Sequence, residues 1–310
     1  MKRLLGLAVS LAILAMLWWR VDLNAILAAA RAADTGWLTV GLAMVVPITL
    51  VTALRFVMVA RGAVGIGTAS RLILSASTLN LVLPSKMGDI AKAWVLTGRH
   101  AMPGERALAL VVLEKMLDMA SLLAWGTLAL LWIAGGALGW WLAAVAVGGL
   151  LTLLLVLLSP VAVPLLGWAA ARLPGRIGRR AAGFAAQWGE GVGWLWATPA
   201  RAARLAFVSL ALWALHLAQF WLFARALGPA IPAADSMAFA TLSILAGLLP
   251  LTMAGMGTRD AAIVAFYGPS LGAGAAAVLG VLATSRYLIP ALAGLPFLRD
   301  FWQRRPAAAA

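Results

Sequence analysis

Apolar residues in this chain do not alternate with polar ones; they run together in long stretches. Leu4–Trp19, Trp37–Ala60, Glu105–Ile133, Leu138–Leu158, Ala203–Ala226 and Gly274–Leu298 are each almost uninterrupted. A helix needs about 20 such residues to cross the roughly 30 Å hydrocarbon core, so these stretches predict six spanning helices, the first a little short. Met1–Leu17 also has the look of a signal peptide, with Lys2 and Arg3 ahead of an apolar run. The small residues at Ala28–Ala33 lie too far beyond Trp18, Trp19 and Arg20 to make a cleavage site, so the segment reads as a first helix.

Two further apolar stretches are broken in the middle. Thr68–Arg99 is interrupted at Pro84 and Gly88, and Ala234–Tyr267 at Pro250, Gly255 and Gly257. Each arm has about 14 to 17 residues, short for a crossing, and proline with glycine opens the backbone where they meet. The pattern predicts two re-entrant hairpins, whose opened tips are tolerated only inside protein or beside water. Both carry Leu-Pro, then glycine, then aspartate: Leu83, Pro84, Gly88, Asp89 and Leu249, Pro250, Gly257, Asp260.

Charge orients this plan. With the N-terminus cytoplasmic, the inner loops hold Arg61, Arg71, Arg99, Arg106, Arg172, Arg176, Arg179, Arg180, Arg201, Arg204, Arg299, Arg304 and Arg305. The outer side holds only Arg20, Arg31 and Arg225, which is the asymmetry expected of a cytoplasmic inner face. Both termini are then cytoplasmic in a multi-pass inner-membrane protein. Tryptophans such as Trp37, Trp132 and Trp140 fall at the outer edge and Trp94, Trp168 and Trp302 near the inner one. Residues 172–198 are less apolar, and Ile177, Phe184, Trp188, Val192 and Leu195 can share one helical face, predicting a helix on the cytoplasmic surface. The order of elements in residues 1–135 recurs in 136–300 with opposite sense, so one membrane domain, 1–310, reads as an inverted repeat. Such repeats with broken helices recur in transporters, where the halves exchange arrangements around a midplane site.

Composition agrees: 64% of the 310 residues are hydrophobic and 11% charged, with mean hydropathy +0.99, far from a soluble domain. A formal net charge of +14 sits mostly at the ends of apolar segments, which fits lipid head groups and not nucleic acid. Cysteine is absent and there are two histidines, so no metal site is expected. No nucleophile elbow or phosphate loop occurs, and no cofactor is called for.

The charges inside apolar stretches are the candidate chemistry, since each costs at least about 2.5–3.5 kcal/mol near the bilayer centre. Lys86, Asp89 and Lys92 flank the first break, and Arg259 and Asp260 the second. Glu114 and Asp118 are four apart and share a helical face, while Lys115 points about 100° away. These carboxylates can bind a cation or proton, or form structural pairs with Lys86 or Lys92. Arg286, near the middle of the last helix, can meet a phosphate or pair with a carboxylate such as Glu114 or Asp118. Arg55, closer to a helix end, is expected to snorkel. His216 and Gln219 are expected to hydrogen-bond between helices.

Three stretches in order, "LNLVLPSKMGDIAKAW", "ALVVLEKMLDMASLL" and "LPLTMAGMGTRDAAI", resemble the lysylphosphatidylglycerol synthase transmembrane, or flippase-like, family. Its N-x-x-x-P…G-D, E-[RK]-x-x-D and P…G-x-G-x-R-E motifs recur here, with Asp260 where a glutamate is usual. The resemblance covers about Ala60 to Pro296. It implies a stand-alone translocase part without the soluble synthase domain, moving an anionic phospholipid or polyprenyl-linked lipid. It also adds Asn80, at the head of the first motif, to the head-group residues.

The expected function is therefore a lipid flippase and not an enzyme. Lys86, Lys92, Arg259, Arg286 and Asn80 would bind the head group in a polar cavity between the hairpins, and Asp89, Glu114, Lys115, Asp118 and Asp260 would pair charges or couple protons. The alternative is a non-transporting partner of a membrane glycosyltransferase or lipid-modifying synthase, docking through the basic segment from Arg172 to Arg204. An embedded enzyme using Glu114 and Asp118 as acid and base ranks last, for want of a nucleophile or cofactor site.

Overall fold

The computed structural model describes residues 22–83, 87–100, 102–133, 136–158, 162–248 and 257–299. Among the described residues all regular structure is helical. In chain order the helices are α1 (Leu23–Arg31), α2 (Thr35–Ala43), α3 (Val45–Val59), α4 (Ile66–Val82), α5 (Met87–His100), α6 (Gly104–Ile133) and α7 (Gly136–Leu158). They continue with α8 (Ala162–Ala171), α9 (Gly175–Trp196), α10 (Pro199–Leu227), α11 (Ala233–Gly247), α12 (Thr258–Leu271) and α13 (Ala273–Gly294), followed by a 3₁₀ turn, Leu295–Phe297.

Among the described residues, three helices are long and apolar enough to cross a membrane: Thr35–Val59, Pro199–Leu227 and Ala273–Phe297. The first comprises α2 and α3. Asp34 starts it by accepting hydrogen bonds from the Gly36 and Trp37 N–H groups, at 2.8 and 3.1 Å. Pro47 lacks the N–H that would bond to Ala43, and the helix is interrupted just there, at Met44. α6 runs for 30 residues as expected, with Glu105, Arg106, Glu114, Lys115 and Asp118 all in its first half. α7 is a 23-residue helix with an apolar stretch at Gly139–Leu154. The predicted first span, Leu4–Trp19, lies outside the described residues, as do Pro84, Lys86, Pro250 and Gly255.

Two helices break the expected pattern. α1 fills part of what reads as the first outer loop, capped by Asp22 accepting from Asn24 N–H at 2.9 Å. α8 precedes the surface segment. With 9 and 10 residues, both are too short for a periodicity argument.

In each interrupted stretch the described residues form two helices, the arms of the expected hairpin, and the turn between them lies outside the described residues. The arms α4 and α5 pack on each other, as do α11 and α12. Gly88 lies in the first turn of α5, not at the opening itself. A Cβ there would sit 2.3 Å from the Ala76 carbonyl oxygen and 2.7 Å from the Asn80 nitrogen. Only glycine lets these arms approach so closely. α4 also meets the end of α13: the Thr78 hydroxyl donates to the Ala291 carbonyl at 2.6 Å, beside Gly294.

The chain divides into two compact units. One takes residues up to Ile48, Ala124–Ala146 and Leu212–Ile289; the other takes Thr49–Leu123, Val147–Ala211 and the segment from Pro290. The second is built on an apolar core including Phe56, Leu72, Leu96, Val111, Leu117 and Leu205. The buried face of α9, with Ala185, Trp188, Val192 and Leu195, completes it. Ile177, expected on that face, is instead exposed at the first turn of α9, beside Arg176, Arg179 and Arg180. The first unit buries Leu217, Phe220, Phe223, Ile263, Tyr267 and Leu279. The Gln219 amide donates to the Gly41 carbonyl at 2.8 Å, the interhelical bond expected of it.

Candidate functional site

Each unit contains one hairpin and one group of charges beside it. In the unit with α4 and α5, the group draws on three helices. Glu114 of α6 and Lys92 of α5 are each 1% exposed and form a short ion pair. Lys92 also lies 3.5 Å from Asp89 and over the Phe56 ring at 5.4 Å. Asp89 pairs at 3.0 Å with Lys115, which stands 3.4 Å from Asp118. Asp118 receives Arg55 of α3 at 2.6 Å, and Arg55 also approaches Glu114 at 4.0 Å.

The common face of Glu114 and Asp118 is therefore real in its consequence: both carboxylates reach Arg55. Lys115 does point elsewhere and is half exposed, yet its long side chain returns to Asp89 and Asp118. Arg55 does not snorkel. It is fully buried, and its Nε and Nη1 have no hydrogen-bond acceptor, since one carboxylate edge satisfies only part of a five-donor fork. Three cations, Arg55, Lys92 and Lys115, face three anions, Asp89, Glu114 and Asp118. The charges close on themselves, as buried ions must to offset their desolvation. Asn80 lies apart from these pairs, its Oδ1 buried without a partner.

The unit with α11 and α12 is arranged differently. Gly257 has φ of 106°, a left-handed conformation open to glycine and strained for other residues. It turns the chain into α12, and Asp260 accepts its N–H at 3.1 Å. The Asp260 carboxylate thus sits at the helix N-terminus, where the exposed N–H groups favour negative charge. Arg259, buried to 4% exposure, forks onto Asp260 Oδ1 at 2.8 and 3.2 Å and donates to the Thr284 hydroxyl of α13 at 2.8 Å. Tight packing holds this turn: a Cβ on Gly247 would meet the Arg259 Cβ at 2.9 Å, and one on Gly280 the Asp260 carboxylate at 3.2 Å.

Arg286, two residues beyond Thr284, has no carboxylate partner among the described residues. Its Nη2 meets His216 Nδ1 at 2.6 Å, its guanidinium lies over the Phe220 ring at 4.7 Å, and its buried Nε has no acceptor. An arginine can only donate, so His216 Nδ1 accepts and the imidazole is neutral, with its proton on Nε2. This is the interhelical bond expected of His216. Glu114 and Asp118, the carboxylates named as alternatives to a phosphate for Arg286, are paired within their own unit with Lys92 and Arg55. This group therefore has two cations, Arg259 and Arg286, against one anion, Asp260. Arg55 also keeps unused donors, so it is the positive surplus that sets this group apart and leaves its charge unanswered.

Thr284 and Arg55 are the residues that sequence reasoning missed. Thr284 carries no signal beyond its place two residues before Arg286. Arg55 could have been found by asking which cation must answer the second carboxylate of the Glu114–Asp118 face.

The family model of the lysylphosphatidylglycerol synthase TM region matches residues 3–294. The chain belongs to that family. With its apolar helices, this makes it a membrane protein of the lipid-synthase or flippase type. The lysylphosphatidylglycerol synthase TM region match takes in both hairpins and both charge groups. No curated protein matches the chain.

Proposed function

We propose that this member of the lysylphosphatidylglycerol synthase TM region family is a lipid translocase that performs no covalent chemistry. It carries the anionic head group of a phospholipid or polyprenyl-linked lipid across the inner membrane while the acyl chains stay in lipid. The carrying observation is the positive surplus at Arg259 and Arg286, where a buried Arg286 Nε has no acceptor. Desolvating a head group is the main barrier to crossing, and fixed guanidinium donors beside a broken helix can replace its water. A phosphate oxygen arriving at Arg286 would satisfy that donor and cancel the surplus.

In this reading the hairpins are re-entrant and the chain has six spans arranged as an inverted repeat. Helix lengths support it. The four arms have 17, 14, 15 and 14 residues, so each extends about 21–26 Å, less than the roughly 30 Å core. The neutral group around Lys92 and Glu114 then acts as the rigid support of its hairpin, with Asn80 of α4 and, by its place in the sequence, Lys86 meeting the head group.

Arg176, Arg179 and Arg180, exposed on the first turns of α9, favour a second reading, in which the protein docks a membrane glycosyltransferase or synthase. The two readings separate cleanly. In proteoliposomes carrying a labelled anionic phospholipid, a translocase moves label between leaflets with no other protein present. A docking partner moves none, and its effect on the enzyme survives Arg286→Gln but not neutralisation of the α9 arginines.

A further inference from the structure

A notch distinct from both charge groups lies within one unit, where the end of α3, the first turns of α6 and the second half of α9 meet. Its interior is about 20 Å³, room for one or two water-sized atoms and not for an acyl chain. Its polar walls are Arg61, Arg106, Gln187 and Trp188, and no carboxylate lines it.

The donors there are unevenly used. Arg61 is committed, forking onto the Glu190 carboxylate at 2.9 Å and the Glu190 carbonyl at 3.0 Å. It also lies against the Trp194 ring at 5.1 Å. The Trp188 Nε1–H is buried and has no acceptor. Arg106, half exposed at the mouth, makes no ion pair or hydrogen bond with a described residue. A cation and a buried N–H with nothing to receive them, around a space the size of one or two oxygen atoms, call for an oxyanion.

The backbone is bent to build this wall. Arg61 N–H bonds to the Met58 carbonyl and Gly62 N–H to the Val57 carbonyl, each at 3.1 Å. That is the glycine-type ending of an α-helix, with Arg61 in the left-handed position at φ of 55°. A side chain there costs about 1–2 kcal/mol, and Arg61 retains the position with its guanidinium braced on Glu190 and Trp194. Strain held by surrounding contacts is characteristic of a functional site.

We propose that this notch is a phosphate-binding site, taking either the phosphodiester of a phospholipid in the adjoining leaflet or inorganic phosphate. One oxygen enters between Trp188 Nε1–H and the Arg106 guanidinium, and the rest of the ligand stays outside. Arg61 positions the wall and does not touch the ligand.

The chain contains no cysteine, so a single Gly191→Cys places a thiol at the notch, where an added Cβ meets nothing within 4 Å. The labelling rate of that thiol by an impermeant maleimide is measured on the full chain in nanodiscs of digalactosyldiacylglycerol, which lacks phosphate. Phosphatidylglycerol is then added to the nanodiscs in one arm, and inorganic phosphate to the buffer in another. The expected result is about tenfold slower labelling, the worth of one charge-assisted hydrogen bond. Slowing by phosphatidylglycerol alone assigns the lipid, and slowing by inorganic phosphate assigns the soluble ion; either upholds the site. The protection is lost in Arg106→Gln and Trp188→Phe and kept in Arg204→Gln, an exposed arginine outside the notch. Arg106→Gln alters a half-exposed side chain and leaves the fold intact, so it decides the matter even if Trp188→Phe is unstable. Equal labelling in every arm, or protection that survives Arg106→Gln, overturns the proposal.

Discussion

The two hairpins carry charges of opposite character. Beside α4 and α5, Arg55, Lys92 and Lys115 are matched by Asp89, Glu114 and Asp118, and the deepest pair is sealed from solvent. Beside α11 and α12, Asp260 answers Arg259, while Arg286 leans on a neutral imidazole and an aromatic ring. A matched set of buried ions is a structural device: each charge offsets the desolvation of the next, and with no net charge the set exerts little pull on an anion. An unmatched cation keeps its demand for an anion. Two groups with similar residue types thus have different work, one holding an arm in place and the other receiving a head group.

The largest expected effect is on the matched side. Glu114→Ala leaves Lys92 and Arg55 buried with one carboxylate fewer, and costs about 3–5 kcal/mol; unfolding by denaturing detergent in micelles measures it. The double substitution of Lys92 and Glu114 to methionine should recover most of that loss, because replacing a buried pair by apolar groups of similar volume is close to neutral. A double variant as unstable as Glu114→Ala would show that the group is more than a self-cancelling pair. On the unmatched side, Arg286→Gln should lower stability by only about 1 kcal/mol, the worth of its bond to His216. Equal losses for Glu114→Ala and Arg286→Gln would erase the distinction between the groups.

Packing at the first hairpin comes next in size. Gly88→Ala drives a methyl group to 2.3 Å from the Ala76 carbonyl oxygen and should cost about 1–3 kcal/mol by overpacking. Gly98→Ala, later in the same helix and facing open space, should be neutral or stabilising by up to about 1 kcal/mol. A loss as small as that of Arg286→Gln is expected at Thr284→Val, which removes one hydrogen bond to Arg259 and leaves Asp260 in place. About 1 kcal/mol is expected, read by the same unfolding assay.

Much of this was legible along the chain because a membrane makes composition speak directly of position. Apolar runs marked the long helices, and the two interrupted stretches correspond to the packed pairs of arms α4 with α5 and α11 with α12; the prolines between those arms lie outside the described residues. The shared face of Glu114 and Asp118 followed from their spacing of four. The partner of that face did not: Arg55 lies on another helix 59 residues before Glu114, and nothing local distinguishes an arginine drawn inward from one that snorkels. The same holds for Arg286, whose partner His216 is 70 residues away. The role of Gly88 was hidden for a related reason, because its spacing suggests a break while its packing against Ala76 and Asn80 is a contact between arms. α1 and α8 are short helices set by capping and neighbours, which periodicity does not resolve.

The central claim is that the unmatched cation receives the head group. The direct measurement is the rate at which a labelled anionic phospholipid changes leaflet in proteoliposomes, compared between the wild-type chain and Arg286→Gln at equal abundance and equal thermal stability. The account predicts a rate at least about tenfold lower in Arg286→Gln, from the loss of one charge-assisted contact in the desolvated state. A wild-type rate in that variant would contradict it.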